Sequence, residues 1–208
     1  MGAGIMCIGV PGTIDNDVAC TDATIGYDTA LNTAMEMIDR IRDTTESHDR
    51  CSVVEVMGRK CGDIALNTGI AVGAITTIVP EIPFDFDKDV VERIERSRAT
   101  GKKHYIVIVA EGVGHTEEMA RKIEAVTGVE TRATILGHVQ RGGSPTLSDR
   151  VLASRMGYHA VRLLNDGISN RVVALKGNDI VDYDITEALN RERVFDKKLY
   201  EVSALLSI

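Results

Sequence analysis

The sequence has no tryptophan, and only three phenylalanines and five tyrosines occur among its 208 residues. So few aromatic rings leave little surface on which bases could stack, which argues against binding of single-stranded nucleic acid. Basic residues are also scarce, since 31 Asp and Glu residues outnumber 24 Lys and Arg residues and the net charge is −7. Nucleic-acid-binding proteins usually present a basic face. We therefore expect no nucleic acid partner.

Cysteines are few and long hydrophobic runs are missing. Cys7, Cys20, Cys51 and Cys61 form no C-x-x-C pair, so the sequence predicts neither a zinc site nor a disulfide framework. No apolar run approaches the ~20 residues of a membrane-spanning helix, and no signal peptide is recognisable. These absences predict a cytoplasmic protein without a membrane partner.

Neither of the common glycine-rich nucleotide loops is complete. The string Gly2-Ala3-Gly4 lacks the third glycine of the dinucleotide motif, and it precedes an apolar segment instead of following one. No G-x-x-x-x-G-K-[ST] string occurs either. The sequence therefore predicts no complete nucleotide-binding loop.

What the sequence does contain is a regular alternation of short apolar runs with helical periodicities. The predicted strands are 5–10, 51–57, 74–79, 105–110, 134–136 and 172–175. The predicted helices are 27–42, 63–71, 87–98, 116–126, one from Ser148 to about Leu164, and a last helical region that starts at 185–189. Thr116 and Ser148 are the predicted N-caps of their helices. This alternation predicts an α/β fold of mostly parallel sheets with helices on both faces.

Two loops carry the candidate chemistry. Asp15 and Asp17 lie in the string P-G-T-I-D-N-D after the first predicted strand, and ligands of open α/β sheets bind beyond the carboxyl ends of the strands. By spacing alone the two aspartates could instead cap a helix that begins near Thr24. Downstream, Arg50 and Arg59 supply cations. Phosphoryl transfer uses a carboxylate base for the attacking hydroxyl and cations for the phosphoryl oxygens.

Four strings in this order resemble the ATP-dependent 6-phosphofructokinases of bacterial type: P-G-T-I-D-N-D (11–17), M-G-R (57–59), T-R-A-T (131–134) and G-H-V-Q-R-G-G-S-P (137–145). The resemblance extends from about Ile8 to Leu189. It implies a two-lobed glycolytic kinase that transfers the γ-phosphoryl of ATP to the 1-hydroxyl of fructose 6-phosphate. It also implies a homotetramer with shared active sites. By this resemblance, 1–24 and 142–185 belong to a nucleotide-binding lobe, and 25–141 and 186–208 belong to a sugar-phosphate-binding lobe.

The resemblance implies a catalytic role for four residues. Asp15 is the general base that takes the proton of the sugar 1-hydroxyl, and Thr13 positions the substrate or the transferring phosphoryl. Asp17 orients the site and assists magnesium indirectly, while Arg59 spreads the charge of the γ-phosphoryl. Gly12, a cofactor-binding position, stands where the pyrophosphate-dependent relatives carry lysine, which favours ATP as the donor.

A larger set is implied to contact the sugar phosphate. Arg50 and Arg132 reach across a subunit interface to a neighbour's 6-phosphate, whereas His138 and Arg141 hold it from within the subunit. Glu111 accepts hydrogen bonds from furanose hydroxyls. The full implied set is Thr13, Ile14, Asp15, Arg50, Met57, Gly58, Arg59, Glu111, Arg132, His138, Val139, Gln140 and Arg141.

The resemblance also implies an effector site for a nucleoside diphosphate or phosphoenolpyruvate. Its residues are Arg42, Gly73, Ala74, Ile75, Thr100, Lys102, Lys103 and His104. The sequence departs from the family at Ile75, because the family commonly has a glutamate there that coordinates the effector's magnesium, and an apolar side chain cannot bind a cation. We therefore expect altered or absent effector regulation.

The family's G-G-D-G-S string, which carries the magnesium aspartate, has no counterpart here. We expect the segment that supplies most ligands of ATP and Mg²⁺ to precede this chain, and we assign no metal ligand within it. Two alternatives stay open. One is a non-catalytic module for sugar-phosphate binding or assembly, and the other is a pyrophosphate-dependent phosphofructokinase.

Overall fold

The computed structural model describes residues 5–206, so the Gly2-Ala3-Gly4 string lies outside the described residues. In chain order the elements are β1 (Ile8–Gly9), α1 (Tyr27–Ser47), β2 (Cys51–Val56), α2 (Asp63–Ala71), β3 (Thr76–Ile78), a π-helix (Asp87–Val91) followed by α3 (Glu92–Ala99), β4 (Tyr105–Ala110), α4 (Thr116–Thr127), β5 (Thr131–Ile135), a 3-10 helix (Gly137–Arg141), α5 (Leu147–Asn165), β6 (Arg171–Lys176), β7 (Asp179–Asp184), α6 (Ile185–Leu189) and α7 (Lys197–Leu206). Within 5–206, none of the helices combines the length and the hydrophobicity needed to cross a membrane.

The described chain divides into two compact units. The first unit contains 5–29 and 144–194, and the second unit contains 30–143 and 195–206. These boundaries differ by two to nine residues from those of the lobes predicted above. The assignment of the first unit to the nucleotide and of the second to the sugar phosphate stays a prediction.

The second unit is built on a four-stranded sheet in the order β3-β4-β2-β5, with every pair parallel. All six residues of β4 are buried, as expected for a parallel strand covered on both faces. The core on one side of the sheet includes Val53, Val107, Ile94 and Ile123. The α/β prediction is thereby confirmed.

The first unit has a smaller sheet in the order β1-β6-β7. The β1–β6 pair is parallel, and the β6–β7 pair is antiparallel. Leu152 and Met156 of α5 pack with Val173 of β6 in its core. The strand β7 was not predicted, although Gly177-Asn178 between β6 and β7 is a two-residue hairpin signal. With Asp179, Asp182 and Asp184 among its six residues, this half-buried strand has no continuous apolar run by which to recognise it.

Several predicted boundaries were wrong. The strand predicted at 5–10 is only Ile8–Gly9, and the one predicted at 134–136 is Thr131–Ile135. The latter is an edge strand with an exposed arginine, so it has no continuous apolar run by which to recognise its start. The helix predicted at 87–98 begins as a π-helix, and α7 is a separate helix after α6.

Both predicted N-caps were also wrong. Thr146 caps α5, because its Oγ1 accepts the N–H of Asp149 at 3.2 Å. Thr116 lies inside α4 and donates its hydroxyl to Glu55 Oε2 at 2.5 Å, while His115 occupies the cap position with a left-handed backbone. The partner of Thr116 is 61 positions away in the chain, so the local sequence does not show this contact.

A long-range cap determines where α1 begins. Asp149 of α5, which is 3% exposed, accepts the backbone N–H groups of Gly26 and Thr29, each at 2.8 Å. The helix therefore begins at Tyr27 and not near Thr24. Asp149 thus fills the capping role for which Asp15 and Asp17 were the alternative candidates.

Replacing this buried cap should destabilise the first unit. Asp149→Ala leaves two N–H groups without their acceptor in a place closed to water, so we expect the free energy of unfolding to fall by about 2–4 kcal/mol. Asp184→Ala is the matched control, because Asp184 also accepts two backbone N–H groups, in an exposed cap of α6. It should cost about 1 kcal/mol. Urea unfolding measures the free energy of unfolding of both variants. Equal losses in the two variants would contradict the larger contribution expected of the buried cap.

Candidate functional site

The Asp15 loop follows β1 in the first unit. Its start is held in an extended conformation against Ile25, whose N–H donates to the Pro11 carbonyl at 3.0 Å and whose carbonyl accepts the Thr13 N–H at 3.1 Å. The hydroxyl Oγ1 of Thr13 then accepts the N–H of Asp15 at 3.2 Å. Thr13 therefore shapes the backbone on which Asp15 is presented.

A second set of bonds closes the loop. Asn16 has a left-handed backbone with φ 52°, a conformation that asparagine tolerates better than most residues. Its Oδ1 accepts the N–H of Thr24 at 3.1 Å, and the Thr24 hydroxyl donates to the Thr13 carbonyl at 2.7 Å. The result separates the two predicted carboxylates: Asp15 is 3% exposed, whereas Asp17 is exposed.

The other two positions of this loop have different surroundings. Ile14 is half-buried, and Gly12 is exposed. A Cβ at Gly12 would meet no heavy atom within 4 Å. A longer side chain would therefore fit at this position, so space alone does not explain the glycine.

In the second unit, neighbouring strands bring three predicted segments to one edge of the sheet. Met57–Arg59 follows β2, Glu111 follows β4, and the 3-10 helix with His138, Val139, Gln140 and Arg141 comes after β5. The pairing Val56↔Ala110 puts the ends of β2 and β4 side by side, and the Glu111 N–H donates to the Val56 carbonyl at 2.9 Å. The sheet therefore assembles these segments as the topology of parallel strands predicts.

The side chains of Gln140 and Glu111 accept hydrogen bonds from the backbone of the Met57–Arg59 segment. The Met57 N–H donates to Gln140 Oε1 at 2.7 Å. The N–H groups of Gly58 and Arg59 donate to Glu111 Oε2 at 3.2 and 3.0 Å. Arg59 itself is exposed and has φ 56°.

Arg50 and Arg132 are brought together by a carboxylate that sequence reasoning missed. Glu130 Oε2 lies 2.8 Å from Arg50 Nε, and Glu130 Oε1 lies 2.9 Å from Arg132 Nη2. The Arg50 guanidinium, followed by that of Arg132, holds the pKa of Glu130 below its usual value. The pairing Cys51↔Thr131 explains the contact, because it puts the residues just before β2 and β5 next to each other. The contact between Arg50 and Glu130 could have been predicted only from the register of these two strands.

These two arginines lie far from the segments that follow the strands. Arg50 precedes β2 and Met57 follows it, and six residues of strand span about 20 Å at ~3.3 Å each. Arg132 pairs in register with Ser52, also near the amino end of β2. Both arginines line a cavity of about 550 Å³ that includes Met37 and Ile41 of α1. Within the second unit, the structure thus does not bring Arg50 to the 57–59 segment.

The predicted effector residues fall mainly before β3 and β4. Gly73–Ile75 precedes β3, and Thr100–His104 precedes β4, while Arg42 lies on α1. Lys102 and Lys103 line a cavity of about 410 Å³ with Asp49, which lies 3.7 Å from Lys103 Nζ. Ile75 is 2% exposed and packs in the core of the second unit. Its apolar side chain is therefore part of the core.

Magnesium is the one metal that the resemblance implies. Within residues 5–206, no three His, Cys, Asp or Glu side chains come together in a way that could hold a metal ion. The described residues do not make up a complete magnesium site.

Comparison with protein families places these segments in a known context. The family model described as phosphofructokinase matches residues 1–164. ATP-dependent 6-phosphofructokinase 1 of Clostridium perfringens is 58% identical over 200 residues, covering 96% of this chain and 62% of the relative. The ATP-dependent 6-phosphofructokinase of Clostridium botulinum strain Loch Maree is 57% identical over 204 residues, covering 98% and 64%. The chain thus spans less than two thirds of the length of these curated relatives.

Solved structures agree with this similarity. Phosphofructokinase from Saccharomyces cerevisiae superposes with a TM-score of 0.84 at 33% identity, over 97% of this chain and 27% of that one. A pyrophosphate-dependent phosphofructokinase from Marinobacter aquaeolei gives 0.79 at 26% identity, over 92% and 54%.

Gly58 should tolerate no side chain. Its φ is 145°, and a Cβ would lie 2.4 Å from the Cys61 carbonyl oxygen. We expect Gly58→Ala to lower the free energy of unfolding by about 1–3 kcal/mol, the usual cost of such strain. Gly157→Ala on α5 is the matched control, because a Cβ there meets nothing within 4 Å and helical alanine gains about 0.5–1 kcal/mol over glycine. Thermal unfolding of both variants checks this, and two equally stable variants would contradict it.

Proposed function

Since the chain belongs to the phosphofructokinase family, we propose that it supplies the catalytic base and the sugar-phosphate site of an ATP-dependent 6-phosphofructokinase. The observation that carries the proposal is the gathering of the Arg59, Glu111 and His138 segments at one edge of the second unit's sheet. The closely similar relatives are named as ATP-dependent enzymes of this kind.

In the proposed reaction the 1-hydroxyl oxygen of fructose 6-phosphate attacks the γ-phosphorus of ATP. Asp15 takes the hydroxyl proton, the new O–P bond forms, and the bond to the β-phosphate oxygen breaks with its electron pair leaving on ADP. A carboxylate suits this step, because phosphoryl transfer depends more on orientation than on a strong base. The Thr13 and Thr24 bonds to the loop fix that orientation. Asp17 orients the site.

Arg59 has the complementary electrostatic role. Charge spreads over the three peripheral oxygens of the transferring phosphoryl, and a guanidinium held in place stabilises it without having to reorganise during the reaction. His138 and Arg141 would hold the sugar 6-phosphate, because a planar guanidinium fork matches two phosphate oxygens at once. Glu111, with Met57, Gly58, Val139 and Gln140, would complete the sugar site.

We further propose that Arg50 and Arg132 serve the site of a neighbouring copy in a homo-oligomer, a tetramer by family analogy. Their position supports this, because the length of β2 lies between Arg50 and the 57–59 segment. Both arginines also border an open cavity instead of being packed into the core. A neighbour's phosphate could reach them there, in competition with Glu130.

Gly12 supports ATP over pyrophosphate as the donor. The open space around Gly12 could hold the lysine of the pyrophosphate-dependent relatives. This chain has no side chain in that space. ATP and Mg²⁺ are proposed for the whole protein, and we place its glycolytic reaction in the cytoplasm. Effector binding near Lys102 and Lys103 stays a prediction.

The base is tested by Asp15→Asn. Without the proton acceptor, turnover of fructose 6-phosphate with Mg-ATP should fall by about two to four orders of magnitude, with little change in sugar-phosphate affinity by calorimetry. Asp22→Asn is the control, because it removes an exposed carboxylate of the same unit that binds Lys176, and it should leave turnover unchanged. Unchanged turnover in Asp15→Asn would end the proposed role. Fructose 6-phosphate binding without any turnover in the unaltered chain would favour a non-catalytic binding module.

The shared site is tested by Arg132→Ala. Loss of one charged contact to phosphate should weaken fructose 6-phosphate affinity about 10- to 100-fold, whereas Arg96→Ala, which breaks an exposed pair with Glu92, should not. Mixing Arg132→Ala chains with Asp15→Asn chains should restore part of the turnover, because some sites then receive one intact residue from each partner. No restoration, or an active monomer, would contradict a shared site.

A further inference from the structure

Three successive backbone N–H groups, those of Met57, Gly58 and Arg59, are bound by the side chains of only two residues. We propose that Glu111 and Gln140 are positioning residues that lock the backbone of this turn and thereby aim the Arg59 side chain. The inference rests on the proposed role of Arg59 in phosphoryl transfer. This positioning role of Glu111 and Gln140 is separate from any contact that they make with the sugar.

Arg59 has an unusual backbone conformation. Its φ of 56° lies in the left-handed region, which is unfavourable for a residue with a Cβ and is kept only where the surroundings enforce it. The bond from its N–H to Glu111 Oε2, at 3.0 Å, is such a constraint. Because the direction of a side chain follows from the φ and ψ of its own residue, whatever holds this backbone also directs the guanidinium.

Glu111 is itself firmly anchored. Its N–H donates to the Val56 carbonyl at 2.9 Å, one step beyond the last pair of β2 and β4. The next residue, Gly112, approaches Arg59 so closely that a Cβ would lie 2.5 Å from the Arg59 carbonyl oxygen. The segment after β4 therefore binds the Arg59 N–H and packs closely against the Arg59 carbonyl oxygen. Anchored supports of this kind are what a site needs for fixed geometry.

Gln140 is deeply buried. This side chain is 1% exposed, and its Oε1 accepts the Met57 N–H at 2.7 Å. Its Nε2 is buried and has no hydrogen-bond partner among the described residues. A buried amide whose NH₂ group has no acceptor is costly compared with an apolar residue of similar size. The bond to the Met57 N–H is what Gln140 supplies in return for that cost.

The positioning role of Glu111 can be separated from contact with the sugar. Oε2 binds both N–H groups, which leaves Oε1 to accept a furanose hydroxyl. Glu111→Gln keeps one amide oxygen that can accept both N–H groups, but it replaces the other oxygen with a donor. Glu111→Ala removes both functions. A positioning role therefore predicts that glutamine rescues what alanine loses.

The first experiment needs no ligand. Amide hydrogen exchange of the full chain, measured by NMR, should show Gly58 and Arg59 exchanging at least about ten-fold faster in Glu111→Ala, because the local opening is easier. Glu111→Gln should stay within about three-fold of the unaltered chain. Asp184→Ala is the control, because it removes another acceptor of two backbone N–H groups in the other unit, and it should leave these amides unchanged. Unchanged protection in Glu111→Ala would overturn the proposal.

Gln140→Leu should likewise speed exchange at Met57. If this buried variant does not fold, the exposed Glu111 variants carry the test alone.

The second experiment uses turnover. Glu111→Ala should lower kcat about as much as Arg59→Ala, and the double variant should lose little more, because both changes remove the same positioned guanidinium. Glu111→Gln should keep kcat within about three-fold and raise KM instead. Additive losses in kcat would overturn the link to Arg59. If the unaltered chain shows no turnover at all, the proposed function fails, whereas the exchange experiment still decides the positioning role.

Discussion

The parallel pairing of β2 with two neighbours is the constraint on which the second unit depends. β2 pairs with β4 over six residues and with β5 over five. Val53 of β2 and Val107 of β4 pair directly and are fully buried, so a slip by one residue would turn core side chains toward the opposite face. The core fixes this register, and the register in turn fixes the positions at which the chain enters and leaves each strand.

Two sets of charges follow from that register, at opposite ends of the same strands. The carboxyl ends present Arg59, Glu111 and the 3-10 helix, and the amino ends present Arg50 paired with Glu130. A chain of net charge −7 can still offer cationic pockets in this way, because local geometry and not net charge decides where anions bind. The separation puts Arg50 and Arg59 at opposite ends of one strand.

The sequence predicts well those elements whose signal is local. Tyr105–Ala110 is a continuous apolar run and forms the fully buried β4, and Asp63–Ala71 forms α2 over the predicted residues. What could not be predicted depends on contacts between distant residues. Asp149 caps a helix that begins more than 100 positions earlier, and Glu130 meets Arg50 only through strand register. The strand β7 was not predicted because three of its six residues are aspartates and none of the six is fully buried, so it has no continuous apolar run.

The same holds for the roles of residues: a motif can indicate that a residue contacts a ligand, whereas its bonds to the backbone are seen only in the structure. The resemblance implies that Glu111 and Gln140 contact the sugar phosphate. In the structure their side chains also accept backbone N–H groups. Every N–H of an irregular turn needs an acceptor, and at 57–59 these two side chains supply all three. An arginine that stabilises charge in a transition state is effective only if it is held before the reaction begins. Under the role proposed for Arg59, the groups that bind its backbone are therefore part of the same catalytic design as its guanidinium.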